Sequence, residues 1–276
     1  MAKVKNLLKA LIPPIIISGY GLVKTDRKST QMWSGDYSNW IEAQSKCSGY
    51  ESDVILEKCK TSLLKVKKGE AVYERDSVLF DKIQYSWGLL AGLQKAALEN
   101  DGKLCVLDFG GSLGSTYYQN KDFISPLKEL KWCIIEQPHF VDCGKEYFED
   151  EILKFYSTIE ECMSVHKPSV LILSGVLQYL EKPYEWIEKI TRLEIPYIII
   201  DRTSFIEGAK DILTIQRVPE SIYQASYPAW FFNQSIFESY FKNIYNCLGL
   251  FSSHEGFVIQ INNSTAFYKG MIWKVN

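Results

Sequence analysis

The chain has 276 residues, a formal net charge of -2 and a sequence pI near 6.0. That length accommodates one large α/β unit with a modest appendage and a substantial core. A near-neutral chain lacks the global basic field that gathers nucleic acid by counterion release, so no nucleic acid is expected as a partner.

Residues 1–31 form a tail in which Met1-Ala2-Lys3-Val4-Lys5 precedes an apolar run from Leu7 to Leu22, like the basic and apolar regions of a secretory leader. Pro13-Pro14 interrupts the run, no small-x-small cleavage site follows, and the stretch is too short and broken to span a bilayer. A peripheral contact with the inner face of a membrane and a tail packed on its own domain both fit the pattern. Over residues 32–100, Ile41, Val54–Leu56, Leu63–Val66 and Leu89–Leu93 recur at helical intervals, which predicts a helical lid that Glu99–Gly102 stops.

Residues 101–276 change period. Leu104–Leu107, Trp132–Ile135, Val170–Leu173 and Tyr197–Ile200 are short, wholly apolar runs of the kind buried on both faces of a parallel sheet. Pro126–Leu130, Glu146–Leu153 and Tyr184–Leu193 are the expected crossover helices, and the βαβ order predicts a Rossmann-like doubly wound α/β fold. An irregular, aromatic-rich loop is expected near 205–232, then a helix near Gln234 to Cys247 and a hairpin of Gly256–Ile261 with Ala266–Trp273. The seven cysteines are scattered without paired zinc-site spacing and read as reduced packing residues of a cytoplasmic protein. No metal is expected.

The chemistry concentrates in Val106-Leu107-Asp108-Phe109-Gly110-Gly111-Ser112-Leu113-Gly114-Ser115, a strand that ends in an acid and enters a glycine turn opening a helix. A dinucleotide fingerprint needs glycine where Ser112 and Ser115 stand, which argues against an NAD-dependent dehydrogenase or epimerase. The pattern D-x-G-x-(G/S)-x-G suits a ligand bearing an amine rather than a phosphate, and S-adenosylmethionine (SAM) carries both an ammonium and a sulfonium. A tight turn needing glycine for packing alone is the competing reading. Glu136, at the end of the next strand with Gln137, is placed to accept ribose hydroxyls. Ser174, Gly175 and Val176, across the topological switch point, leave room for the methionine arm.

With these segments in order, the chain from Tyr37 onward resembles bacterial class I SAM-dependent methyltransferases encoded among surface-polysaccharide genes. The resemblance rests on Gly69–Phe80, Val106–Ser115, Glu136–Phe140, Leu177–Leu180, Ile200–Thr203, and Gln216–Pro219 with Ser226–Trp230. It implies a seven-stranded sheet with the last strand antiparallel. It also implies Asp108, Gly110, Gly111, Ser112 and Gly114 at the methionine part of SAM, Glu136 at the ribose, and Ser174 to Val176 at the sulfonium. No acid follows the third strand, so adenine is left to stacking, backbone and hydroxyl contacts, with Ser157 and Thr158 the hydroxyls at hand.

An oxygen acceptor must lose a proton, for which His139 and Asp201 are the rival bases. Tyr179, Arg202, Arg217, Tyr223, Tyr227 and Trp230 combine aromatic faces with cations suited to a sugar and an anionic group. The expectation is therefore O-methylation of a small-molecule, sugar or phosphate-bearing glycan precursor, with S-adenosylhomocysteine (SAH) as by-product. A non-catalytic SAM-binding protein is the remaining alternative.

Overall fold

The computed structural model describes residues 32–48, 52–218, 225–253, 258–261 and 264–276; the expected tail and Tyr223 lie outside them. Among the described residues no helix is long and apolar enough to cross a membrane.

Four apolar segments pair as parallel strands: β4 (Lys103–Phe109), β5 (Glu129–Ile135), β7 (Val170–Ser174) and β8 (Tyr197–Ile206), with β6 (Leu153–Tyr156) outside β5. β13 (Ser264–Val275) runs antiparallel to β8, and β11 (Tyr245–Ser252) antiparallel to β13. The order β6-β5-β4-β7-β8-β13-β11 is the expected seven-stranded doubly wound sheet with its last strand antiparallel. Chain order reverses between β4 and β7, and at such a switch point the loops leaving the two strands part to form a crevice.

Each face of the sheet carries its own core. Leu89 and Leu93 of α3 (Trp87–Glu99), Tyr117 of α4 (Ser115–Ile124) and Phe140 of α5 (Pro138–Tyr147) pack with Val106, Trp132 and Val170 on one face. Cys162 of α6 (Ile159–Val165), Ile187 and Ile190 of α7 (Pro183–Thr191), and Phe237 of α8 (Gln234–Ser239) pack with Leu107, Cys133 and Leu171 on the other. The crossover helix expected at Tyr184–Leu193 is α7, whereas the other two lie earlier than their apolar residues suggested. α4 ends before Pro126 and α5 before Glu149, because Pro126–Leu130 and Glu149–Leu153 lead into the next strands.

The stretch expected as an irregular loop is largely strand. β8 continues to Ile206, and β9 (Ile212–Arg217) pairs antiparallel with β10 (Ser226–Asn233), which joins β8 at Phe232 and Asn233. Burial explains it, for Leu213, Ile215, Ala229 and Phe231 are all inside. Pro228 is tolerated because β10 has a neighbour on one side only there. β1 (Trp33–Ser34) and β12 (Val258–Ile261) complete an eleven-stranded sheet. The helix expected to Cys247 stops at Ser239, since Tyr245 begins β11.

The region expected as a helical lid holds α1 (Trp40–Ser45), α2 (Ser52–Lys67), a hairpin of β2 (Tyr73–Arg75) and β3 (Val78–Phe80), and then α3. α1 packs against β9 and β10, while α3 is a layer of the sheet domain.

Candidate functional site

The loop after β4 is built so that backbone, not side chain, faces the crevice. Gly110 has φ +72°, and a Cβ there would lie 2.7 Å from Cγ2 of Val176 in the loop after β7. A Cβ on Gly111 would lie 2.6 Å from the carboxyl carbon of Asp108. Asp108 itself is 1% exposed and lies beneath the turn rather than in the open cleft. Its Oδ2 accepts the indole N–H of Trp132 at 3.0 Å. Burial pushes its pKa up to about 7, against the opposing pull of Trp132 and the Arg202 guanidinium.

Glu136 ties the second strand end to the first. Its Oε1 accepts the Ser112 N–H at 3.1 Å and its Oε2 the Gln137 N–H at 2.9 Å. Burial raises its pKa above the ordinary carboxylate value, and the two amides oppose that rise. Each oxygen retains acceptor capacity beyond the amide it already holds.

These residues open onto a cleft of about 660 Å³ at the carboxyl ends of the parallel strands. Gly110 and Ser112, Glu136 and Gln137, Ser157, and Gly175 and Val176 line it, so the ends of β4, β5, β6 and β7 contribute. Tyr179 and Tyr227 form the far wall, ring edge to ring face with centroids 5.2 Å apart. Tyr179 is anchored by its hydroxyl donating to Oε1 of Gln216 at 3.0 Å. Thr158 stands beside Ser157 outside the lining, and its hydroxyl caps α6 by accepting the Glu161 N–H at 3.0 Å.

The remaining expected residues stand back from the lining. Gly111 and Gly114 shape the turn from behind, and Ser174 Oγ accepts from Nε of Arg202 at 3.2 Å. Asp201 is 3% exposed, its Oδ1 held by the Ser253 hydroxyl at 2.7 Å and the Arg202 N–H at 2.9 Å. Pro138 and Phe140 line the cleft on either side of His139, whose Nε2 is buried without a hydrogen-bond partner among the described residues. Arg217 is exposed on β9 and donates to the Ser34 hydroxyl at 2.6 Å. Trp230 donates its indole N–H to the Leu180 carbonyl at 3.2 Å and, partly buried, packs against the core.

The β2–β3 hairpin adds residues that motif reading had placed only in a lid. Its two-residue turn, Asp76 and Ser77, has φ +50° and +68° and lines the cleft opposite the glycine loop. Asp76 Oδ2 lies 3.3 Å from Nη1 of Arg202, joining hairpin to sheet. Glu74, 2% exposed, accepts from the Ser115 hydroxyl at 2.5 Å and the Ser77 N–H at 2.6 Å. Burial raises its pKa to about 7. The signal was present in sequence, since Tyr73-Glu74-Arg75 and Val78-Leu79-Phe80 flank a two-residue polar turn, but the surrounding helical periodicity masked it.

No family profile and no curated sequence relative matches the chain. Solved structures are similar in fold. A SAM-dependent methyltransferase from Clostridium acetobutylicum is 9% identical, with 68% of this chain and 90% of that one covered and a TM-score of 0.43. The N-terminal domain of EvdMO1, solved with SAH and D-fucose, is 9% identical over 80% of this chain and 97% of that one, with a TM-score of 0.47. CalS10, an amino pentose methyltransferase from Micromonospora echinaspora, is 7% identical over 70% and 92%, with a TM-score of 0.42.

Proposed function

We propose that this chain is a SAM-dependent methyltransferase acting on oxygen of a small-molecule, sugar or phosphate-bearing acceptor. The observation that carries the reading is the placing of Glu136. Its carboxylate bridges the glycine loop and the second strand end, inside a cleft that follows the carboxyl edge of a doubly wound sheet. A strand-end acid in that position binds a ribose diol.

Glu136 would hold the ribose, the Gly110–Ser112 backbone the methionine part, and Ser157 with the Gln137 backbone the adenine side. The cofactor supplies an electrophilic methyl group on a sulfonium. The protein's share is to align the acceptor oxygen with that methyl and keep the line of approach dry, which can supply much of the acceleration. Tyr179 and Tyr227 offer an aromatic wall for the acceptor, and Arg202 a cation beside Asp76. His139 is the proposed proton acceptor and Asp201 its rival. His139→Ala is expected to keep SAM affinity and lower turnover by about 10²- to 10⁴-fold; unchanged turnover removes His139 from the role.

The decisive experiment incubates purified protein with methyl-labelled SAM and fractionated small-molecule extracts, then identifies the labelled product. Transfer to an acceptor hydroxyl supports the reading. Binding of NAD in place of SAM, or SAM binding without transfer to any fraction, overturns it.

A further inference from the structure

Away from the cleft, the sheet gathers soft metal ligands that are far apart in sequence. Cys105 on β4, Cys133 on β5 and His166 at the end of α6 have ligand atoms within 4.8 Å of one another. The Cys162 thiol interacts with that of Cys133, and the backbone N–H of His166, the residue that caps α6, donates to the Cys162 carbonyl at 2.8 Å, so the end of the helix holds the two residues together. Cys133 and Cys162 are fully buried, while Cys105 and His166 are partly open, which gives an ion a path in.

We propose that Cys105, Cys133, Cys162 and His166 form a structural site for a thiophilic divalent cation of the zinc class. Three thiolates and one imidazole are a closed, tetrahedral zinc set. Zinc–sulfur bonds of about 2.3 Å require sulfurs roughly 3.8 Å apart. The ligand atoms of Cys105, Cys133 and His166, within 4.8 Å of one another, reach that spacing by small side-chain rotations, and Cys162 completes the set by turning its thiol from Cys133 toward the ion. The imidazole has an outer partner of the kind that orients ligating histidines, since the Tyr156 hydroxyl lies 2.8 Å from Nε2. Lys131 acts electrostatically on both Cys105 and His166 and offsets the site's excess negative charge. On binding, the three thiols lose their protons to solvent as three metal–sulfur bonds form, leaving a site of net charge −1. Such a site would tie α6 to β4 and β5, fixing the helix whose N-cap, Thr158, follows Ser157 at the cleft.

The test uses the full chain, reduced, stripped of metal and titrated with Co(II). The expected result is one equivalent bound with the intense visible bands of tetrahedral thiolate coordination, displaced by Zn(II). His166→Ala should weaken Co(II) binding on the order of 100-fold, and Tyr156→Phe about 10-fold. Cys247→Ser, at an exposed thiol outside the cluster, should leave it unchanged. Circular dichroism of each variant separates loss of a ligand from loss of fold, and Tyr156→Phe keeps the test informative if the others unfold. Absence of the tetrahedral spectrum from protein whose seven thiols all titrate as reduced overturns the proposal. So does a spectrum unaltered in both His166→Ala and Cys133→Ser.

Discussion

Asp108 carries two demands that pull apart. It ends an apolar strand and is 1% exposed, so burial favours its neutral form, yet a bound cation would favour the carboxylate. With its pKa at about 7 in the folded chain and at the ordinary value of 3.8 when unfolded, the folded state keeps the proton longer. Stability from this group is therefore fullest below pH 3.8 and is lost as pH rises toward 7, by on the order of 1.4 kcal/mol per pKa unit. Glu74 works in the same direction. Asp108→Asn should flatten the fall in melting temperature of the ligand-free protein between about pH 4 and 7; an unaltered slope means the carboxyl does not titrate there. Glu136 makes a different prediction, because it faces the cleft. Glu136→Gln keeps its shape but loses charge-assisted acceptance, worth roughly 1.5–3 kcal/mol, so SAM affinity should fall about 10- to 100-fold by calorimetric titration. Both acids were legible in sequence from their strand-end positions. That one lies under the turn and the other in the cleft was not, because the difference is set by Trp132 and Ser112 arriving from elsewhere in the chain.

Among the elements, two turns do most to shape the cleft. The glycine loop after β4 packs closely on the segment after β7, since a side chain at Gly110 would run into Val176. In Gly110→Ala the added methyl meets Val176 at 2.7 Å, and the residue must hold a left-handed φ, a strain of roughly 1–2 kcal/mol before any clash. The melting temperature should fall several degrees, at about 2–4 °C per kcal/mol for a chain of this size, and SAM affinity should fall with it. Loss of stability with full affinity would mean that the loop does not meet the ligand. The other turn, Asp76-Ser77, was hidden by its setting. Helical periodicity runs through α2 and α3 on either side, so three-residue strands between them offer too short a pattern to compete. The aromatic stretch after β8 misled for the opposite reason. Glycine-free β9 and β10 alternate imperfectly because both of their faces are covered, and only packing against α1 reveals them as strands.

At the scale of the molecule, the sheet makes the site and the core a single structure. The same strands that end at Gly110, Glu136, Ser157 and Gly175 carry both hydrophobic layers, so the cleft cannot be dismantled while either layer stays packed. Sequence order alone foretold the doubly wound parallel core, since four apolar runs separated by helices admit few right-handed windings, whereas the seven strands and the antiparallel last strand were implied by the family resemblance. It could not foretell the cysteine–histidine cluster, which exists only because β4 and β5 pair in register and α6 lies across them. The shared sheet leads to a concrete expectation for ligand binding. A ligand that bridges several strand ends stabilises the whole domain rather than one loop, by about 2.7 kcal/mol at 100 times its dissociation constant. SAM or SAH at that concentration should therefore raise the melting temperature by roughly 5–10 °C. One cooperative transition should move as a unit, followed by tryptophan fluorescence and by far-ultraviolet circular dichroism together. NAD should leave the transition in place, because Ser112 and Ser115 stand where a pyrophosphate-binding loop needs glycine. A shift seen by only one probe would show that the ligand orders a local segment rather than the whole domain.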